Sequence, residues 1–253
     1  MNIDNYEERK GNILELGPPG TGKTLLATQM PRPIIISADT NVRGPINYIK
    51  EHPTLSRDVR FWFPSLEDDE KTTVKHEDRW DRFCTLAERA FADEKCDTVV
   101  FDSFTTIVDY ILDKVRKTNN KKVSTDKAPG AQISQPDWGT FYAIIKHFVV
   151  QSKMSPKLSV WIGHTTSSKD ELAGYIKQFI AIPGQIKEQL AGLFDEVWLL
   201  STEEEMVGST LSYPRYIRTT PGLRQEALGL KTSRSLIGVK KKIELEKVKD
   251  WFK

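Results

Sequence analysis

The sequence predicts an α/β fold in which a mostly parallel central sheet carries helices on both faces. Short apolar, β-branched runs alternate along the chain with longer segments whose apolar residues recur at helical spacing. A glycine-rich loop also joins the first predicted strand to the first predicted helix. The 253 residues suffice for one large domain with a well-buried core. We therefore expect a single domain over 1–253, with a core at about 12–234 and a locally basic tail at 239–253.

The glycine-rich loop, GPPGTGKT at 17–24, fits the phosphate-binding pattern G-x-x-x-x-G-K-[ST]. A strand is predicted before it at 12–16, and the helix predicted after it, at 25–30, is stopped by Pro31. In such a loop, backbone N–H groups surround a phosphate, and the lysine reaches the β- and γ-phosphates. The residues predicted to bind a nucleotide are Gly17, Pro18, Pro19, Gly20, Thr21, Gly22, Lys23 and Thr24. Thr24 is also a predicted Mg²⁺ ligand, and we expect Lys23 to be exposed when the loop is empty.

Two later strands are predicted to end in a carboxylate at the same edge of the sheet. The run at 33–39 is bounded by prolines and ends in Asp39, and the run at 98–103 contains Asp102. Asp102 is predicted to orient Mg²⁺, usually through a water molecule. An ordinary strand-end aspartate in a turn is the alternative interpretation.

The remaining elements follow from apolar spacing and from breaks in it. Gly44-Pro45 is predicted to break the chain before a helical turn at 46–51, a strand at 59–63 and a polar loop at 64–75. Helices are predicted at 77–94, 104–118 and 137–153, the last capped by Asp137, and further strands at 158–164, 195–200 and 215–219. Two long stretches, 119–136 and 165–184, carry no periodicity, which predicts functional or disordered loops.

Composition limits the classes of protein that the chain can represent. The net charge of +2 and the charged fraction of 28% do not indicate a bulk nucleic-acid binder, so any basic surface must be local. The two cysteines, Cys84 and Cys96, suggest no metal site and fit a reducing cytosol. The polar N-terminus does not resemble a signal peptide, and no apolar run is long enough to span a bilayer, so no membrane partner is expected.

The residue after Asp102 bears on how water would be activated. In many P-loop ATPases of the AAA+ type a glutamate follows this aspartate, but here Ser103 follows, and serine cannot accept a proton at neutral pH. The predicted catalytic base is therefore Asp39, at the end of the strand that follows the P-loop helix. A capping or turn role for Asp39 is the alternative.

These motifs together resemble the RecA/RadA family of recombination ATPases. The run Val99-Val100-Phe101-Asp102-Ser103 is similar to that family's strand ending in Asp-Ser, and another strand ends in His164. More closely, the chain resembles the phage P-loop nucleotide-binding proteins regarded as minimal RecA-like single-strand annealing recombinases, which share GPPGTGKT and a late segment like Phe194-Asp195-Glu196-Val197. The resemblance covers roughly 12–234, and only the P-loop and Asp102-Ser103 are specific motifs. Family members generally carry Glu at the position of Asp39.

The resemblance implies roles for further residues. His164 would sense the γ-phosphate, with a satisfied buried histidine as the alternative. Lys231 and Arg234 would reach the ATP of a neighbouring copy, with solvated surface charge as the alternative. The stretches 119–136 and 165–184 would be DNA-binding loops. The residues predicted to contact DNA are Lys121, Lys122 and Lys127 in the first loop, and Lys169, Tyr175, Lys177 and Phe179 in the second.

The function implied is a DNA-stimulated, Mg²⁺-dependent ATPase of RecA-like fold that promotes annealing or strand exchange in phage recombination. Its partners would be single-stranded DNA, further copies of the chain in a filament or ring, and a single-strand-binding protein, in the cytoplasm of a bacterial host. A ring-forming motor, such as a helicase or packaging-type ATPase, is a second hypothesis. A nucleotide-gated binding protein with little turnover is a third, suggested by Asp39 in place of Glu.

Overall fold

A computed structural model describes residues 11–69, 71–169, 174, 176–222, 225–234 and 237–252. Its strands are β1 (Asn12–Gly17), β2 (Pro33–Ser37), β3 (Arg60–Trp62), β4 (Thr98–Asp102), β5 (Leu158–Lys169), β6 (Ile176–Ile180), β7 (Glu196–Thr202), β8 (Glu205–Val207), β9 (Thr210–Ser212), β10 (Arg215–Arg218) and β11 (Lys240–Lys242). Its α-helices are α1 (Lys23–Ala27), α2 (Arg43–Glu51), α3 (Arg79–Ala92), α4 (Phe104–Thr118), α5 (Gln135–Met154) and α6 (Ile186–Gln189).

Most strands lie in one sheet, in the order β11-β10-β7-β1-β5-β4-β2-β3. The run from β7 to β3 is parallel, and β10 and β11 extend it with antiparallel pairs. The carboxyl ends of β1, β2, β4 and β5 therefore meet at one edge of the sheet, where ligands bind in open α/β sheets. The α/β fold class predicted from the sequence is confirmed.

Both faces of the sheet are buried. Each strand contributes to the packing on both, because its successive residues point to opposite sides. On one face, Phe101 and Trp161 pack in a large cluster that includes residues of α3, α4 and α5. On the other face, Val100, Ile162 and Trp198 pack with α1 and with the C-terminal segment. That segment, 240–252, forms β11 and a 3-10 helical stretch whose Val248 and Trp251 are buried, so the predicted basic tail is packed against the sheet.

Three local predictions are wrong. α2 begins at Arg43 and contains Gly44-Pro45, because a proline in the first turn of a helix loses no hydrogen bond. α5 begins at Gln135, with Ser134 as its N-cap; Asp137 is the partner in the capping box, accepting from the backbone N–H of Ser134 at 2.7 Å.

The third wrong prediction is the irregular stretch at 165–184. β5 continues to Lys169 and pairs with the antiparallel β6, although β1 stops beside His164 and β4 beside Ile162. The two strands therefore form a hairpin that runs past the carboxyl edge of the sheet. Within the described ranges, no helix is both long and apolar enough to cross a bilayer.

Candidate functional site

The phosphate-binding loop lies between β1 and α1, as the sequence predicts. Gly20 and Gly22 have φ angles of 82° and 87°, a left-handed conformation that glycine adopts without strain. Pro18, Pro19 and Gly20 are exposed at the mouth of the loop, and the Thr21 hydroxyl donates to the Pro18 carbonyl at 2.9 Å. The loop is thus open to solvent where a phosphate would enter.

Lys23 is buried, with 5% of its surface exposed, so the expectation of an exposed lysine is wrong. Its Nζ donates to the carbonyl oxygens of Gly17 and Pro18, both at 2.9 Å. Burial lowers the pKa of Lys23, while the carboxylates of Glu15, Asp102 and Asp39 favour its charged form. The ammonium is therefore held inside the loop by two carbonyl groups. An ammonium has three N–H donors, so the third can donate to a phosphate oxygen.

Thr24 and Asp102 supply the oxygen pair expected for Mg²⁺. The Thr24 hydroxyl donates to Oδ2 of Asp102 at 2.6 Å, which joins the start of α1 to the end of β4. Burial raises the pKa of Asp102 to about 6. A hydroxyl and a nearby carboxylate fit Mg²⁺, which prefers hard oxygen ligands and is completed in such sites by water and substrate phosphates. When bound, Mg²⁺ neutralises charge on the β- and γ-phosphates.

Asp39 lies just beyond β2 and is held by the first turn of α4. Oδ1 of Asp39 accepts a hydrogen bond from the Thr106 hydroxyl. Ser103 is the N-cap of α4 and accepts from the backbone N–H of Thr106 at 3.4 Å. Asp39 is half-buried, so one of its carboxylate oxygens is positioned by Thr106 while the side chain keeps contact with solvent. This placement is compatible with the predicted role of Asp39 as a base.

His164 lies beside Gly17 in the β1–β5 pairing and faces the same site. Its Nε2 is 4.0 Å from Oδ2 of Asp39, and its backbone N–H donates to the Thr105 hydroxyl at 3.4 Å. Burial lowers the pKa of His164, and the charge on Lys23 lowers it further. The fold therefore brings together Lys23, Asp39, Asp102 and His164 at one edge of the sheet.

Glu15 is the other carboxylate near the loop, on β1 two residues before Gly17. It is fully buried, and neither of its carboxylate oxygens has a hydrogen-bond partner among the described residues. Burial raises its pKa well above the ordinary value, which favours the neutral acid. A group without access to water is a poor candidate for the base that activates water.

Lys231 and Arg234 lie away from the phosphate loop of their own chain. Lys231 forms a β-bridge to Val197, near the amino end of β7 and thus toward the opposite edge of the sheet. Arg234 is bound within the chain: its Nε is 2.9 Å from Oε1 of Glu196, and its Nη1 donates to the Trp251 carbonyl at 3.1 Å. Arg234 thus ties the C-terminal segment to β7.

The segment after α4 is an irregular loop that is tied to both adjacent helices. Arg116 donates to the Ala131 carbonyl at 2.8 Å, and Lys121 forms an ion pair with Asp137. Lys122 and Lys127 are exposed. Of the three lysines predicted to contact DNA in this loop, two point to solvent and one is engaged in the cap of α5.

Replacing Asp137 with Asn is expected to lower the melting temperature at pH 7 and to have less effect in acid. Hydrogen bonds from Lys121 and Ser134 hold the pKa of Asp137 well below its ordinary value. A depressed pKa stabilises the fold above the unfolded pKa of about 3.9 and stops doing so as pH falls through the folded value. Thermal unfolding between pH 3 and 7 measures the difference, with the exposed Asp58→Asn as control. A pH-independent difference would contradict the role of the Asp137 charge.

The β5–β6 hairpin carries most of the second predicted DNA-contacting set. Lys169 is exposed at the end of β5, and Lys177 and Phe179 share one face of β6. On the other face of β6, Ile180 is buried and Gln178 accepts a hydrogen bond from Gln225, while Ile176 at the start of the strand is exposed. Tyr175 lies outside the described residues.

Sequence reasoning missed three residues of this region. Thr105 and Thr106 follow Asp102-Ser103 after one intervening residue, Phe104, and two hydroxyls in the first turn of a helix at the edge of the sheet were the available signal. The Nζ of Lys187 lies 4.7 Å from the centre of the Phe179 ring, a cation–π contact. No local pattern indicates Lys187, because it comes from α6.

A strand, phosphate loop and helix, with a hydroxyl–carboxylate pair at the adjacent strand end, define a nucleotide-binding P-loop ATPase domain. A family model described as an AAA domain matches residues 9–228, and the chain belongs to that family. Ser103 still stands where many ATPases of the AAA+ type have a glutamate.

Two solved structures are similar to the chain. The KaiC-like protein PH0186 of Pyrococcus horikoshii is 11% identical with a TM-score of 0.39, over 83% of this chain and 78% of the other. The flagellar accessory protein FlaH of Methanocaldococcus jannaschii is 13% identical with a TM-score of 0.37, over 88% and 83%. No curated protein matches the chain.

Proposed function

We propose that this ATPase domain binds single-stranded DNA as an oligomer and promotes annealing or strand exchange in phage recombination. The observation that carries the proposal is the β5–β6 hairpin, which continues directly from His164. Because His164 faces Lys23 and Asp39, a γ-phosphate arriving there would contact the first residue before the hairpin. Nucleotide binding would in this way change the contacts of His164 at the base of the hairpin, and with them the position of the hairpin.

The face of β6 that bears Lys177 and Phe179 has the chemistry that single strands require. Lys177 and Phe179 combine a positive charge with an aromatic ring on which a base can stack, and the exposed Lys169 extends the charge. Lys187 sits against Phe179 and can contact the phosphate next to a stacked base. The lysines Lys122 and Lys127 would add contacts from the loop after α4.

The phage and recombination parts of the proposal rest on the order of sequence motifs. The phosphate loop, Asp102-Ser103, His164 and the segment Phe194-Asp195-Glu196-Val197 occur in the order seen in phage annealing recombinases. For contact with a neighbouring copy's ATP we favour Lys231 over Arg234, since the guanidinium of Arg234 is bound to Glu196.

Replacing Lys122 and Lys127 together with Ala is expected to weaken binding of every single-stranded sequence and to reduce its salt dependence. Phosphate contacts carry no base information, and removing one lysine–phosphate ion pair makes the slope of log K against log salt shallower by about 0.7. Fluorescence anisotropy with a labelled oligonucleotide over a salt series measures the slope. The double substitution of the exposed lysines Lys50 and Lys146 is the charge-matched control. Equal slopes in both double variants would exclude this loop from the DNA site.

Replacing Phe179 with Ala is expected to leave the salt slope unchanged and to weaken binding by about 1–3 kcal/mol, the scale of one base stacked on an aromatic ring. Ile176→Ala removes an exposed apolar side chain from the same strand and serves as control. Anisotropy with and without a non-hydrolysable ATP analogue also tests the coupling, since the analogue should tighten binding in the parent. If the two variants bind alike, stacking on Phe179 is not part of DNA binding.

A nucleotide-gated binding protein with little turnover is the second candidate function. It is favoured by Asp39, whose side chain is one methylene shorter than glutamate and is held by Thr106. Phosphate release that stays negligible with and without DNA, while the ATP analogue still tightens DNA binding, would select this function over the first.

A further inference from the structure

A cavity of about 310 Å³ lies beside the phosphate loop, on the α1 side of the sheet. Its walls come from α2, from the start of β10 and from the C-terminal segment, and they include Tyr48, His52, Leu55, Arg215, Ile243 and Leu245. Its lining combines these side chains with charged ones, Lys242, Glu244 and Glu246, and its volume lies at the lower end of the range of about 300–1,000 Å³ found for small-molecule sites.

The cavity adjoins the place where a triphosphate would bind. A Cβ atom added at Gly22 would lie 2.7 Å from Nε of Arg215, so the Arg215 side chain crosses directly over the phosphate loop. Leu25, two residues after Lys23, packs with Ile49 and with the cavity residue Leu55. The cavity is therefore within reach of a nucleotide whose phosphates lie at Lys23.

Arg215 carries a charge that no carboxylate offsets within the described part of the chain. Its guanidinium lies 5.9 Å from the centre of the Tyr48 ring, and no ion pair of Arg215 is formed among those residues. A guanidinium between the phosphate loop and the cavity can contact either a phosphate or a base. It connects the phosphate end of the site to the cavity.

The hydrogen-bond acceptor of the neutral His52 ring is Nε2, because Tyr48 determines which ring nitrogen carries the hydrogen. Its Nδ1 is 2.8 Å from the backbone carbonyl of Tyr48, and a carbonyl can only accept, so Nδ1 carries the hydrogen. In the neutral ring Nε2 then has a free lone pair. The ring is fixed in place because it stacks on Tyr48, with centroids 3.9 Å apart and planes 10° from parallel.

The carboxylates on the cavity wall have partners of their own. Oε2 of Glu244 is 2.6 Å from Nζ of Lys247, and Oε1 of Glu246 accepts from the Thr54 hydroxyl at 3.3 Å. Lys242 pairs with Glu205 at 2.9 Å. The Nε2 atom of His52, in contrast, makes no hydrogen bond to any described residue. Nε2 is therefore a neutral acceptor on this wall that a ligand can pair.

We propose that this cavity holds the nucleobase and that His52 selects adenine over guanine. Adenine carries an amino group at position 6, which can donate to Nε2, whereas guanine carries a carbonyl oxygen there, which cannot. With guanine in the cavity, its carbonyl oxygen would face Nε2, so the hydrogen bond would be lost and two acceptors would lie opposite each other. The inference deepens the proposed function, because it rests on triphosphate binding at the phosphate loop.

Equilibrium binding to the full chain with Mg²⁺ tests the selection, using ATP, GTP, purine riboside triphosphate and tripolyphosphate as probes. Purine riboside triphosphate is ATP without the amino group. The parent protein should bind ATP about 3- to 10-fold more tightly than purine riboside triphosphate, the scale of one hydrogen bond. His52→Phe keeps a ring against Tyr48 but removes the acceptor, so it should bind these two nucleotides equally. Its affinity for tripolyphosphate should match the parent.

His147→Phe is the matched control, since His147 is exposed on α5, across the sheet from the cavity. It should keep the parental preference for ATP. Equal affinity of the parent for ATP and purine riboside triphosphate would overturn the inference. This measurement uses the parent protein alone, so it does not depend on the folding of a variant. Parental discrimination retained in His52→Phe would overturn it too. If the parent protein does not bind even tripolyphosphate, the phosphate loop is not an anion site, and the proposed function is wrong as well.

Discussion

Lys23→Ala is expected to bring ATP hydrolysis below detection. The side chain is the positive charge that reaches the β- and γ-phosphates from this loop, and phosphoryl transfer depends on positioning and charge stabilisation. Because Lys23 is buried and bonded to the carbonyls of Gly17 and Pro18, the substitution also leaves two acceptors without their donor. We therefore expect a stability loss of about 1–3 kcal/mol in the nucleotide-free protein.

Steady-state phosphate release and chemical denaturation separate these two effects. Lys146→Ala, which removes an exposed lysine from α5, should change neither. A Lys23→Ala variant that is folded and hydrolyses ATP at the parental rate would show that the phosphate loop is not the site of catalysis.

Asp39→Asn is expected to keep ATP binding and to slow hydrolysis by about 10²-fold or more, the scale of general-base catalysis. Asparagine retains an oxygen that can accept from Thr106, so the local structure should be kept, but it cannot take a proton from water. Thr106→Val, which removes only the hydroxyl that positions Asp39, should have a smaller effect.

Single-turnover hydrolysis with excess enzyme measures the chemical step of the Asp39 variant apart from product release. Hydrolysis by Asp39→Asn at the parental rate would show that a group other than Asp39 is the base. Glu15 is an unsuitable replacement, because its carboxylate is fully buried beneath the loop.

The grouping of the phosphate loop with the strand-end residues could be predicted from the sequence, because these residues stand at fixed places in a pattern of strands, loop and helix. Asp39, Asp102 and His164 each close a predicted apolar strand, and parallel strands bring their carboxyl ends to one edge. The order of the strands was not predicted, because it depends on pairing between segments far apart in the chain, such as β1 with β5 and β7.

The parts that escaped prediction depend on contacts between distant residues. The hairpin segment Thr165–Lys169 is polar throughout, so its strand has no alternating pattern and is stabilised by pairing with β6. The burial of Lys23 depends on carbonyl groups that only the folded loop turns inward. Arg234 was predicted to reach a neighbouring copy's ATP, with solvated surface charge as the alternative, but it pairs with Glu196, which lies 38 residues earlier in the chain.

The cavity beside the loop was also beyond sequence reasoning. His52 follows α2 and Arg215 begins β10, and nothing in the spacing of these residues indicates that they line one space. The C-terminal segment contributes to the wall of that space, whereas the sequence predicted only that this segment is a locally basic tail.

The central claim is that the nucleotide site and the β5–β6 hairpin act together, and DNA-dependent phosphate release tests it most directly. Release is measured with saturating Mg²⁺-ATP, with and without single-stranded DNA, for the parent and for Phe179→Ala. The account predicts hydrolysis by the parent that rises when DNA is added, and a weaker response of Phe179→Ala at limiting DNA. Hydrolysis at the same rate with and without DNA in both proteins would contradict it.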